Sequence, residues 1–510
     1  MERSVVAAEG IEEVVMLPPS RSATREPLAA TQTADIRALL GAGDEDRVAV
    51  AHFLVGALFL VLAGVFQLIS LFSLRFAGLS PISYGRAESM ANITVMLGFL
   101  VLTLAGGIYY VLPRLTGARL WRKELAYLGL LGVSGLVVLD LLAVAFGLGE
   151  GRQPFGLPWW LHLPMLAVLT IPFAVTMMTI RRREEERSFV TLWFVMGGVA
   201  WLPLLYFVYS AGSLPFVGSL GAAYSDLFFS AGFVTLWVFT VGSGLFYYTL
   251  VKELDIPLAS RQLASVGFWS LGFAAAWWGS AQLVFGPGPG WIDGVSAALG
   301  LAFPIGALAN AANASLTLQG HWEKLRDKPG VTSGVVGLYL GVAVAILASF
   351  AAFPSVGSVT ALTGYWEAIE YVALYGVGVL LAAGVVFEAL PRLAGREPAT
   401  LDRSRSFNRW TVVGVGGVGL SMIAAGLVSG YSWVAGSNSA AYVNAGEGWA
   451  AGAGAAEVLM LVAVGFGIVA FLGQLAYAAT VIGTVTSGRA VPQEVLVYGP
   501  DPDSDEDADE

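Results

Sequence analysis

The chain has 510 residues, of which 56% are hydrophobic and only 13% charged, with a mean hydropathy of +0.72. A soluble globular protein carries about 25% charged residues, so this composition excludes that class and points to an all-α polytopic membrane protein. The lack of cysteine excludes disulfides, thiolate metal sites and iron–sulfur clusters, and a net charge of −10 on so apolar a chain argues against nucleic acid as a partner.

Residues 1–48 are polar, of mixed charge and poor in aromatics, which reads as a disordered cytoplasmic tail. No positively charged stretch followed by a short apolar run and a cleavage site is visible there, so no removable signal peptide is expected. Twelve apolar segments follow, at 49–74, 90–112, 124–148, 158–180, 188–210, 223–250, 262–285, 291–318, 333–353, 366–390, 410–430 and 453–486. Roughly 20 apolar residues span about 30 Å of hydrocarbon. Backbone amides in a bilayer must be satisfied within the segment, so these are transmembrane helices of one membrane domain, residues 49–486, and the lipid bilayer is its first partner. The last segment is long and glycine-rich, as for a tilted helix or one followed by a surface helix. Residues 487–510 end in an acidic, solvated cytoplasmic tail. Lysine occurs only as Lys123, Lys252, Lys324 and Lys328, and an acidic, lysine-poor, cysteine-free chain suggests a halophilic source.

Three segments end alike. Gly384-Val-Val-Phe-Glu-Ala-Leu-Pro-Arg-Leu-Ala-Gly395 repeats Gly107-Ile-Tyr-Tyr-Val-Leu-Pro-Arg-Leu-Thr-Gly117, and Gly244-Leu-Phe-Tyr-Tyr-Thr-Leu-Val-Lys-Glu-Leu254 is a weaker copy. Their first glycines are 137 (244 − 107) and 140 (384 − 244) residues apart. A fixed period of that length implies three pseudo-repeats of four helices each. Lys and Arg number 4, 4, 2, 3 and 5 in the loops after segments 2, 4, 6, 8 and 10. The loops after odd-numbered segments hold only Arg75, Arg86 and Arg152. The positive-inside rule then places the even loops and both termini in the cytoplasm of a multi-pass cell-membrane protein.

The run Asn313-Ala-Ser-Leu-Thr-Leu-Gln-Gly-His-Trp-Glu-Lys-Leu-Arg-Asp-Lys-Pro329 resembles a segment of the C-type (cbb-type) haem–copper oxidase catalytic subunit I. The family pattern there is Asn-x-x-x-Thr-Leu-x-Gly-x-Trp-(Asp/Glu)-Lys-Leu-Arg-x-x-Pro. Gly85-Arg86 with Gly98, Gly107, Tyr109 and Tyr110, and Phe268-Trp269 with Trp277 and Gly279, extend the resemblance over roughly residues 49–430. The resemblance implies twelve helices, a threefold pseudo-repeat and reduction of dioxygen or nitric oxide at a haem facing copper, with a second haem supplying electrons. That chemistry needs six histidine ligands, because neutral imidazole suits both iron and copper.

This chain has only His52, His162 and His321. Carried over position by position, the helix 2 haem ligand falls on Ala91 and the helix 6 copper ligand on Ala231. The histidine pair of helix 7 falls on Ala281 and Gln282, and its crosslinked tyrosine on Ala275. The two haem ligands of helix 10 fall on Ile369 and Tyr371 in one register, or on Glu370 and Val372 in the other. The three histidines read as interfacial hydrogen-bonding groups, and Met90 and Met96 as packing residues. A structural or accessory role within a respiratory electron-transport complex, without haem or copper, is therefore expected of this divergent relative. The alternatives are a functional terminal oxidase or nitric oxide reductase subunit with atypical haem and copper ligands, and a proton-coupled membrane transporter.

The carboxylates left in apolar segments are the candidate proton-handling groups, since a charge at a helix centre costs roughly 2.5–3.5 kcal/mol on insertion scales. They are Asp140, deep in segment 3; Glu367 and Glu370, three apart on one face of segment 10; and Glu457, at the start of segment 12. Reaching the outer interface is the plainer role for Glu367 and Glu370, and helix packing for Asp140. Asn310, Asn313, Ser315 and Thr317 form a polar stripe in segment 8, suited to hydrogen bonding between helices or to a water-lined path.

Overall fold

The length of the apolar runs dictates the architecture. A computed structural model describes residues 45–489 apart from 77, 215, 399–400 and 438–446. The expectations for the tails at 1–44 and 490–510 lie outside the described residues. Among the described residues every extended element is a helix, and eleven helices are long and apolar enough to cross a membrane. They are α1 (Glu45–Arg75), α2 (Tyr84–Thr116), α3 (Lys123–Ala145), α4 (Trp159–Arg181), α5 (Val190–Ala211) and α6 (Ser219–Leu254), then α8 (Gly290–Thr317), α9 (Pro329–Ala351), α10 (Gly364–Ala394), α11 (Leu401–Ser437) and α12 (Glu447–Ser487). The seventh segment departs from the expectation of a continuous helix. Its α7 (Arg261–Ala274) tightens into a 3-10 coil, Ala275–Leu283. The narrower coil brings Gly279 against α6: a Cβ there would lie 2.3 Å from the Leu227 carbonyl oxygen and 2.7 Å from the Ala231 Cβ.

Several helices outrun their apolar cores because polar residues at their ends find tertiary partners. The first begins at Glu45 rather than 49, and its Asp46 accepts a 2.9 Å bond from Arg114 of α2. The guanidinium of Arg114 also lies 4.1 Å from the Tyr110 ring centroid. This is what the basic residue of the first motif copy does. The helix stop at or just after each copy is equally explained. Gly117, Asp255 and Gly395 follow α2, α6 and α10 with φ of 69°, 52° and 60°, the left-handed cap that stops a helix.

Helices α2, α6 and α10 form the centre. Between 83% and 100% of their most apolar stretches is buried, against 28–67% for the other eight. Each carries a π-helical stretch, Thr94–Val101, Phe233–Phe239 and Val372–Gly378, whose starts are 139 residues apart both times (233 − 94 and 372 − 233). The three helices interlock in a ring. Leu245 of α6 sits where a Cβ on Gly107 of α2 would be, Leu381 of α10 does the same to Gly242 of α6, and Leu100 of α2 to Gly378 of α10, all within 2.9 Å. Close approach through bare glycine backbone suits a bilayer, where association rests on packing.

The two ends of the bundle differ in charge. The basic end holds the loops after α2, α4, α6, α8 and α10; the other is the opposite end.

Candidate functional site

At the opposite end the first turns of α2 and α10 bring three carboxylates together. Thr363 starts α10, its Oγ1 accepting the Tyr365 N–H at 3.3 Å, so Glu367 stands in the first turn, where the helix dipole favours negative charge. Glu370 follows on the same face, and its Oε1 accepts a 3.3 Å bond from Nε2 of Gln282 at the end of α7. Glu88 comes from α2, one turn after Tyr84, and the Tyr84 hydroxyl lies within hydrogen-bonding reach of both Glu88 and Glu367. All three carboxylates are half-buried. Among the described residues no lysine or arginine acts on any of them. Gln67, Ser70 and Asn92 complete the polar wall around a cavity of about 20 Å³, room for about one water.

The sequence paired Glu367 with Glu370 but missed Glu88, which lies before the apolar core of segment 2. The available signal was the spacing of Tyr84, Glu88 and Ala91, which share a helix face if α2 starts early.

The positions that the resemblance assigns to metal ligands are packed shut by aromatic rings and by direct helix contact. Tyr375 of α10 points its hydroxyl at the backbone carbonyls of Ala63 and Ala91, at 3.4 and 3.5 Å, and Tyr371 stacks on it at 5.0 Å. Ile369 is buried beside them. Ala231 meets Gly279 as described, Ala281 is 1% exposed, and Ala275 begins the 3-10 coil. Trp278 stacks between Trp366 and Phe303, with ring centroids 6.1 and 5.6 Å away.

The three histidines lie apart, two on different helices and one in a turn. His52 of α1 is buried, its Nδ1 2.7 Å from the Val48 oxygen and its ring edge-on to Tyr109. His162 opens the α-helical part of α4 at the opposite end, and His321 lies past α8 at the basic end, against the Gln319 oxygen at 3.1 Å. Met90 and Met96 are buried in the packing of α2. Among the described residues no group of three or more His, Cys, Asp or Glu is arranged to hold a metal ion.

The remaining candidates lie apart from the three glutamates. Asp140 is fully buried in α3. Glu457 is 58% exposed on α12 and pairs with Arg75 at 3.3 Å, a surface ion pair. The polar stripe of α8 serves helix packing. Asn313 donates to the Ser260 oxygen at 2.9 Å and accepts from the Ser260 N–H at 3.0 Å, Thr317 accepts from the Ala259 N–H at 3.0 Å, and Tyr247 donates to Asn310 at 2.8 Å. Ser315 turns away to the Tyr339 hydroxyl, 2.6 Å distant.

Comparison with known proteins agrees with this architecture. The profile of the family described as cytochrome c and quinol oxidase polypeptide I matches residues 47–469. Cytochrome c oxidase subunit 1 of Rhodobacter capsulatus is 23% identical over 368 residues, 70% of this chain and 69% of the relative. A cytochrome c oxidase subunit 1 homolog of Azorhizobium caulinodans is 24% identical over 69% of this chain and 66% of its own length. A cbb3-type cytochrome c oxidase subunit of Stutzerimonas stutzeri is 22% identical over 62% and 68%. The chain thus spans about two thirds of these curated relatives. A heme-copper terminal oxidase dimer solved by cryo-electron microscopy superposes with a TM-score of 0.72, covering 90% of this chain and 87% of that one at 15% identity.

Proposed function

The chain belongs to the cytochrome c and quinol oxidase polypeptide I family, and from that premise we propose that it is a member without haem or copper, with a structural or accessory role in a respiratory membrane complex. The carrying observation is the closure of the helix interfaces where the resemblance expects ligands. Gly279 rests on the Leu227 carbonyl and Ala231 at the copper position. The polar cavity between α2 and α10 holds about 20 Å³, against roughly 300–1,000 Å³ for small-molecule and cofactor sites. The residues present do not fit either group: Ala91, Ala231 and Ala281 offer no donor, and Gln282 is committed to Glu370. Further membrane subunits of such a complex are the proposed partners.

The same reading takes the chain as twelve membrane segments in three repeats of four. The recurring π-helical stretches and left-handed caps support it, with α7 as the twelfth, broken segment. The basic end then faces the cytoplasm, with both termini. A visible spectrum and metal analysis of the purified protein test the proposal. No Soret band and no stoichiometric iron or copper is the expected result, and a Soret band with stoichiometric haem overturns it.

A second reading rests on the glutamate cluster. Three half-buried carboxylates around a phenol, with no cation acting on them among the described residues, are suited to share a proton, which makes Glu88, Glu367 and Glu370 candidates for proton handling.

A further inference from the structure

A second polar system lies at the opposite end between α3, α4 and α5, away from the three glutamates. Its centre is Asp140 of α3, 0% exposed, with neither carboxylate oxygen hydrogen-bonded among the described residues. A carboxylate in hydrocarbon without a partner is expensive and marks function by default. Beside it stand the Tyr206 and Tyr209 phenols of α5, both within electrostatic reach of Asp140. From Tyr206 a continuous hydrogen-bonded chain runs outward. The Tyr206 hydroxyl meets His162 Nδ1 at 2.9 Å, His162 Nε2 meets the Ser213 hydroxyl at 3.0 Å, and Ser213 meets Glu150 Oε2 at 3.0 Å. Tyr206 is wholly buried and His162 is 4% exposed, while the Glu150 side chain is 22% exposed at the loop. The wire therefore joins the surface to the interior.

The charges around it are arranged to hold it in place. Arg152 pairs with Asp226, contacts Ser213 and donates to the Tyr209 carbonyl at 3.1 Å, so its charge is neutralised beside the wire. The Tyr209 hydroxyl donates to the Phe155 oxygen at 3.2 Å and takes no part in the wire. On the other side a cleft of about 370 Å³, lined by Ser83, Arg86, Ser89, Gln153 and Gly156 among others, opens at the same end. Gly156 is its thin wall: a Cβ built there would lie 3.8 Å from Asp140 Oδ1. Tyr206 and Tyr209 from α5 are the titratable groups that act with Asp140; Glu150 and Arg152 from the α3–α4 loop and Asp226 from α6 surround those phenols, His162 from α4 bonds Tyr206, and Arg86 from α2 lines the cleft.

We propose that Asp140 is a reversible proton-binding site reached from the opposite face through Glu150, Ser213, His162 and Tyr206. A proton taken up at the Glu150 carboxylate displaces one along the wire. Ser213, His162 and Tyr206 each accept a proton on the outer side and release one on the inner side; no hydrogen bond joins Tyr206 to Asp140, so in the last transfer the phenol turns toward the carboxylate, which becomes a carboxylic acid. No oxidant or metal is involved. The proposal does not rest on the lack of haem: a Soret band would sink that reading and leave this one standing.

The test is infrared difference spectroscopy of the full chain in lipid nanodiscs after a pH jump in H2O and D2O. A carboxylic-acid band that forms on acidification, shifts in D2O and is missing in Asp140→Asn is the expected result. His162→Gln and Ser213→Ala, which leave the acid in place, slow its appearance on the order of a hundredfold, the scale of losing one positioned proton-transfer group. An Asp140→Asn spectrum identical to wild type, or a band that neither titrates nor exchanges, overturns the site. Wild-type rates in both wire variants overturn the route. Should Asp140→Asn fail to fold, the rates in the two wire variants still decide.

Discussion

Two glutamate clusters, one at each end of the bundle, are held in opposite ways. At the basic end Glu253, with a side chain only 1% exposed, is held by Lys328 at 2.8 Å and by Arg392, and nearby Glu388 accepts the Gly330 N–H at 3.1 Å. At the opposite end Glu88, Glu367 and Glu370 share a phenol and an amide, with no cation acting on them among the described residues. The first arrangement ties α6 to α10 and to the α8–α9 turn through matched charges. The second leaves like charges facing each other, which folding alone does not favour. Burial of a carboxylate therefore does not reveal its role; the partners do.

Two substitutions separate the two arrangements, and a third tests the α6–α7 contact. The largest effect is expected from Glu253→Gln, which removes the buried carboxylate that Lys328 and Arg392 share. Breaking a buried pair costs about 3–5 kcal/mol, and the partial exposure of Lys328 and Arg392 reduces this to about 2–3 kcal/mol. The fall should appear in the thermal midpoint of the solubilised protein, and an unchanged midpoint would show that the pairing is incidental. Next comes Gly279→Ala. Its methyl meets a backbone carbonyl that cannot yield, so about 1–3 kcal/mol of overpacking loss is expected in the same melt. Wild-type stability there would mean that α6 and α7 have room between them, and would weaken the case against a copper site. The smallest change is expected from Glu88→Gln, which removes one of three like charges. Stability should stay within about 1 kcal/mol of wild type or rise. A loss as large as that of Glu253→Gln would erase the distinction between the two ends.

Much of this was legible locally. The motif closing α2 and α10 fixed two helix ends, since Pro-Arg-Leu-x-Gly already encodes a left-handed stop, whereas α6 makes the same stop on Asp255 without a glycine. Glu367 and Glu370 were found because three residues of separation is one helical face. Glu88 was not, because it precedes the apolar core and belongs to the site only through α10, some 280 residues later. Asp140 and Glu457 looked alike as single carboxylates beside apolar runs. One proved fully buried and the other an exposed partner of Arg75.

Hydrophobic length and the count of donor side chains are properties of the chain itself. They were enough for a helical membrane protein and for a poverty of imidazole. What touches what across hundreds of residues is set by packing in three dimensions. Only there did α7 tighten to bring Gly279 onto α6, tyrosines fill the space between α2 and α10, and Glu150, Ser213, His162 and Tyr206 join in one hydrogen-bonded chain. Periodicity reports which face of a helix is apolar; it carries no information about which neighbour that face will meet.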